Sequence, residues 1–210
     1  MTYIKYNKDI IVRIVLFLIV IVFILLTVGC SKANTDADNK IIYQSYINDE
    51  LEFEGELFSQ KYSYLKEDFD IEPAAYYYDV DDDGESELLV STYYYGFDIY
   101  DIRSGELIML DHGDGTSDVC VVFTGNDNTY VGHSDFSHVG RQCLTLFKYD
   151  SKGEITERIS INAFYEDSEN DVYDENSEFT YNDEEITMDQ YEEYMAMYNS
   201  IDFDTIEQAK

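Results

Sequence analysis

Basic residues are scarce in this sequence: 13 Lys and Arg stand against 45 Asp and Glu, a formal net charge of −32. A surface of that sign repels phosphate backbones and anionic lipid headgroups, which excludes nucleic acid as a partner. Proline is down to a single residue, Pro73, and beyond a short polar stretch near the N-terminus no linker-like run divides the chain. Nothing therefore marks a second domain. Three cysteines contain no CxxC pair, and none is spaced from a histidine in a way that identifies a nucleophile. The histidines are His112, His133 and His138, so hydrolysis that depends on histidine would have to draw on these. No serine sits in a nucleophile-elbow context, and the sequence has no internal repeat.

Acid-rich chains with few aromatic residues tend to disorder, but this one holds 21 Tyr and 12 Phe. Rings in that number supply large buriable areas and predict a folded core.

The first thirty residues differ from the rest. Lys5, Lys8 and Arg13 give a positive start, and Ile14 to Val28 is an apolar run softened only by Thr27. A charged segment followed by an apolar one of this length is the pattern of a secretory signal peptide. It ends in Leu26-Thr27-Val28-Gly29-Cys30, which resembles the lipobox of bacterial lipoproteins. There the cysteine thiol receives fatty-acyl chains, palmitate among them, and the chain is cut just before it; Thr27 departs from the usual leucine. The alternative is an uncleaved anchor, since Ile10 to Gly29 is long enough to span a bilayer, although Arg13 interrupts its start. Either way the positive flank stays cytoplasmic and the rest lies outside. The expected organisation is a signal peptide over 1–29, a lipidated Cys30 with a polar tether over 30–39, and one acidic domain over 40–210. Removing the leader takes away three basic residues and one acid, which leaves 10 against 44 and a net charge of −34. The localisation implied is the extracellular face of the cell membrane, held by lipid.

Within the domain, Ile42, Tyr43, Tyr46, Ile47 and Leu51 follow helical spacing, with Asn39 as a cap, and a second short helix is expected over Leu57 to Leu65. From Tyr76 onward short β runs alternate with turns. Ala74–Val80 and Glu87–Tyr95 flank an acidic loop. Phe97–Ile102 and Glu106–Leu110 flank Arg103-Ser104-Gly105. Asp118–Thr124 and Thr129–Gly132 flank Gly125 to Asn128, and Cys143–Tyr149 and Glu154–Ile161 flank Asp150 to Gly153. Such turn-linked pairs in series predict an antiparallel meander. An acidic stretch, Tyr165 to Glu178, precedes a hairpin at Asn182-Asp183, and Thr187 to Gln190 forms a capping box that opens a C-terminal helix. The fold class is α+β: an antiparallel β meander with an N-terminal helical segment and a C-terminal helix. Tyr76–Tyr78 and Tyr93–Tyr95 are expected to place alternate rings on opposite strand faces. Cys120 and Cys143 lie in strand-like runs and read equally as a disulfide across a sheet or as two buried thiols.

One segment carries recognisable chemistry, Asp79-Val80-Asp81-Asp82-Asp83-Gly84-Glu85-Ser86-Glu87. Calcium takes six to eight oxygens from a compact loop, and alternating Asp79, Asp81 and Asp83, then Glu85 and Glu87, can supply most of them. An EF-hand needs a glutamate at its twelfth position, which here is Val90, and its flanks are helices rather than strands. A calcium site would thus need a further ligand from elsewhere, and its affinity would fall near ~0.1–1 mM, the range of extracellular modules. The alternative is an acidic turn whose aspartates bind neighbouring amides and no metal. The run DVDDDGESELLV resembles the D-x-D-x-D-G-x-x-E-L-L segment of clostridial-type Gram-positive surface lipoproteins. That resemblance implies a lipoprotein with calcium as candidate ligand, and it implies no enzyme.

Asp111 to Asp118 lacks the alternating spacing and reads as a loop, and His133 to His138 reads as a polar loop more readily than as a zinc site. Three functions follow in order. The first is a membrane-tethered binding or structural lipoprotein with a calcium loop. The second is an acidic immunity or antagonist protein for a basic protein or cell-wall partner, and the third an envelope hydrolase.

Overall fold

A computed structural model describes residues 35–166 and 172–210. The leader, Cys30 and the start of the tether lie outside the described residues, as does part of the acidic stretch after Tyr165. Among the described residues no helix is long and apolar enough to cross a membrane.

The chain begins with helix α1, residues 35–47. Tyr43, Tyr46 and Ile47 recur at helical spacing and are buried. The helix starts earlier than its apolar pattern, so Asn39 is not its cap but lies inside it, with its side-chain amide donating to Glu85 Oε2 at 3.0 Å. Two short helices follow, α2 (Phe58–Lys61) and α3 (Ser63–Phe69), the second ending on Asp70 in the left-handed region.

Strands β1 (Ala75–Tyr78), β2 (Glu87–Ser91), β3 (Phe97–Arg103) and β4 (Glu106–His112) then run antiparallel as neighbours. The next four, β5 (Val119–Gly125), β6 (Asn128–Asp135), β7 (Arg141–Tyr149) and β8 (Ile155–Phe164), do the same and continue into β9 (Glu178–Tyr181) and β10 (Glu184–Ile186). Helix α4 (Met188–Ala196) follows, then two short pairings made by β11 (Asn199–Ser200) and β12 (Glu207–Gln208). The α+β class expected from the sequence holds, but the meander is divided between β4 and β5. One sheet has the order β12-β1-β2-β3-β4 and the other β10-β9-β8-β7-β6-β5-β11.

Strand periodicity shows how the sheets stack. Leu88 and Val90 of β2 join Tyr43, Tyr46, Phe58, Tyr62 and Leu65 of the helices in one core. Leu89 between them faces the other way, with Ile99, Cys120, Val122 and Val131, and this second core lies between the sheets. The far face of the larger sheet presents Leu144, Leu146, Ile159 and Ile161 to Tyr191 and Tyr198 from α4 and the segment just after it. The layers are helices, sheet, sheet, helix. Three hairpin turns place both central residues at positive φ, Ser104-Gly105, Asn126-Asp127 and Asn182-Asp183, which matches the twist of the strands they join.

One expectation needs correction, and one pair of alternatives is decided. Tyr93–Tyr95 are not in a strand: Thr92 N–H and Oγ both donate to the Gly96 carbonyl and close a tight turn, leaving all three rings exposed. Cys120 and Cys143 are free thiols. Cys120 pairs with His133, and Cys143 with Asp135, on opposite sides of β6. Two strand spacings, about 9–10 Å, exceed the ~7 Å that a disulfide allows between Cα atoms.

Candidate metal centre

The acidic loop joins β1 to β2 and is shaped by its own carboxylates. Asp81 Oδ1 accepts from Asp83 N at 3.1 Å, and Asp83 Oδ1 from Glu85 N at 2.7 Å, the two-residue reach of an aspartate-closed turn. Asp79 caps the bend through Asp83 N and Gly84 N, at 3.2 and 2.9 Å. Asp82 and Gly84 both have positive φ there.

Contacts outside the loop anchor it to every layer but the last. Ser86 N donates to Asp36 of α1 at 2.8 Å. Arg103, at the end of β3, pairs with Asp81 Oδ2 at 3.2 Å and also with Asp101. Asp82 accepts from both the N–H and the hydroxyl of Thr129 on β6, at 3.1 and 2.9 Å. On its outer side the loop borders a cleft of about 600 Å³ shared with Lys148 to Ser151.

Of the five expected ligands, the fold gathers three. Asp79, Asp81 and Glu87 each present a carboxylate oxygen within 4.8 Å of the others. Asp83 borders the group and is occupied with Glu85 N, while the Glu85 carboxylate turns away to Asn39. Glu87 is 2 % exposed, and its Oε2 accepts from Val80 N at 2.7 Å. Burial, followed by the carboxylates of Asp81, Asp101 and Asp79, pushes Glu87 up to about 10, against the Val80 amide. Burial and neighbouring carboxylates also raise Asp79 and Asp81, although Arg103 works against the rise at Asp81. The Tyr43 hydroxyl of α1 is buried and has no hydrogen-bond partner among the described residues, and Glu87 is the charge acting on it most strongly. Sequence spacing could not have found Tyr43, because the contact depends on α1 lying over β2.

A second constellation joins two segments that are separate loops by sequence pattern. Asp111 and Asp118 lie on either side of His133: Nδ1 meets Asp118 Oδ1 at 2.7 Å and Nε2 meets Asp111 Oδ1 at 3.2 Å. Tyr149 donates to Asp111 Oδ2 at 2.6 Å. His138 belongs elsewhere, contacting Asp135 at 2.6 Å beside Arg141. Burial, then Asp111, Asp98 and Asp118, hold the fully buried Cys120 thiol well above its usual range, which makes it a poor nucleophile.

Neither family models, nor curated proteins, nor solved structures contain a match to the chain. Fold and site together define an acidic four-layer α/β/β/α sandwich with a carboxylate centre at one end.

Proposed function

We propose that the chain is an exported lipoprotein, anchored through acylated Cys30 at the outer face of the cell membrane, whose domain binds calcium at Asp79, Asp81 and Glu87. The leader and the Gly29-Cys30 junction support the address, and two acyl chains give lasting attachment. One observation carries the calcium reading. Glu87 and Asp81 are buried beside Asp79, while the adjacent Arg103 is shared with Asp101. Burial and neighbouring negative charge disfavour ionisation of these carboxyls, and a hard divalent cation, binding with release of the Glu87 proton, would stabilise all three in the charged form through the oxygens it prefers. The Tyr43 hydroxyl feels Glu87 more strongly than any other charge, and Asp83 acts on both Asp79 and Asp81.

In this role calcium would fasten the loop that ties both sheets to α1, so its effect is structural. The test is thermal unfolding of the full chain in detergent, in millimolar calcium and in chelator. Calcium should raise the midpoint, and Glu87→Gln should abolish the rise. Coincident curves for the unsubstituted chain would reject the site. Mass spectrometry of the native product should find acyl chains on Cys30 and no leader.

The net charge of the exported part favours a second reading, an antagonist that masks a basic protein. Binding of that kind should weaken steeply as salt rises, whereas the calcium response should persist at fixed ionic strength.

A further inference from the structure

The network around His133 lies on the seam between the sheets, and strand register explains how it forms. Cys120 and His133 are directly opposed on β5 and β6, so their side chains leave the same face as near neighbours. That face is the one between the sheets, where Cys120 is packed. Asp111 arrives from the other sheet. Along β4, Leu107 and Met109 pack toward the helices and Leu110 packs between the sheets. Strict alternation would therefore turn Asp111 back toward the helices. A register shift intervenes: Tyr100 pairs with Met109 but Ile99 pairs with Asp111, leaving Leu110 as the extra residue. Bulges re-aim side chains, and this one puts Asp111 on the inner face with Ile99. There one donor atom each of Asp111, Cys120 and His133 lies within 4.8 Å of the others.

We propose that Asp111, Cys120 and His133 form a second metal site, for a divalent cation of the zinc class, that ties the two sheets together. The donor set is one thiolate sulfur, one imidazole nitrogen and one carboxylate oxygen, a mixture suited to zinc and unsuited to calcium. Tetrahedral zinc places its donors roughly 3.3–3.8 Å apart, given metal–ligand lengths of about 2.0–2.3 Å, so modest side-chain rotations close the cluster. The surrounding groups are arranged as supports of such a centre. Asp118 takes the Nδ1 proton of His133 at 2.7 Å, which leaves Nε2 as the donor nitrogen toward Asp111. Tyr149 holds the second oxygen of Asp111 at 2.6 Å. Carboxylates that orient a ligating imidazole in this way recur behind zinc ligands. Binding expels the Cys120 thiol proton and the proton shared between Nε2 and Asp111. Three protein ligands leave a fourth position for water.

Cobalt(II) reports thiolate ligation directly and tests the site. The full chain carrying Cys30→Ala, in detergent, leaves Cys120 and Cys143 as its thiols. One equivalent of cobalt should produce a sulfur-to-metal charge-transfer band that zinc displaces and excess calcium does not. Cys120→Ala and His133→Asn should each remove the band, whereas Cys143→Ala and Glu87→Gln should keep it. Asp118→Asn should weaken cobalt binding about 10–100-fold, the usual effect of losing such a support. No band from a chain with native circular dichroism would overturn the proposal. So would a band that survives Cys120→Ala, depends on Cys143, or yields to calcium. If Cys120→Ala fails to fold, His133→Asn decides. Since Glu87 takes no part, failure here leaves the calcium reading untouched, and the reverse also holds.

Discussion

Gly96 is where the backbones of the two sheets meet. It has φ +84, and a Cβ there would stand 1.8 Å from the Cys120 carbonyl oxygen. Gly105 has a similar φ of +81 in the β3–β4 turn with nothing within 4 Å. The pair separates strain from collision. Gly105→Ala should cost about 1 kcal/mol, the left-handed penalty alone. Gly96→Ala adds a backbone clash that no rotamer relieves and should cost more than about 3 kcal/mol. Equal losses in denaturant unfolding would contradict the close approach. Glu87 makes the other residue-scale prediction. Its folded pKa lies above the unfolded one, so the native state keeps a proton that the unfolded chain releases. Native stability in chelator is then greatest below the unfolded pKa, near 4.3, and declines as pH rises from there toward about 10. Melting points in chelator should fall between pH 5 and pH 8 for the unsubstituted chain and fall less for Glu87→Gln. Parallel profiles would remove the argument that Glu87 is buried without adequate compensation.

Helix α4 is a case in which local chemistry settles an element. Thr187 Oγ accepts from Gln190 N at 3.3 Å, and Gln190 Oε1 accepts from Thr187 N at 3.0 Å, the reciprocal box legible in the sequence. Thr187→Ala should cost about 1 kcal/mol, and urea midpoints should show it with no change in m-value, because the helix shields Phe179 and Ile161 only in the native state. The hairpins were legible for the same reason. Ser104-Gly105, Asn126-Asp127 and Asn182-Asp183 carry their turn geometry within two residues. What could not be read depends on distant partners. Nothing in Gly113 to Asp118 signals that β5 leaves the first sheet. Tyr93–Tyr95 have every propensity of a strand, yet the hydrogen bonds between Thr92 and Gly96 override it. The two centres divide in the same way. The alternating aspartates of the acidic β1–β2 loop lie within nine residues and show in the spacing. Asp111, Cys120 and His133 span 22 positions, and only a bulge and a strand register bring them together.

At the scale of the whole molecule the dominant fact is charge. Even if every basic residue of residues 30–210 were paired, 34 of the 44 acids there would remain without a cation. Such a surface repels itself in the folded state and relaxes on unfolding. It also repels anionic headgroups. Added salt shortens the screening length from about 30 Å at 0.01 M to about 10 Å at 0.1 M. Sodium chloride should therefore raise the melting point of the full chain over that range, opposite to the response of a protein held by surface ion pairs. The described ion pairs are too few to reverse the sign: Lys66 with Asp70 and Glu72 is exposed on all sides and contributes little. Calcium must be separated from this background. At matched ionic strength its effect should exceed that of sodium, saturate, and vanish in Glu87→Gln, while the sodium response remains in both chains. A melting point that falls with sodium chloride would mean that attraction, not repulsion, governs the acidic surface. The antagonist reading, which relies on an unsatisfied negative field, would then lose its physical basis.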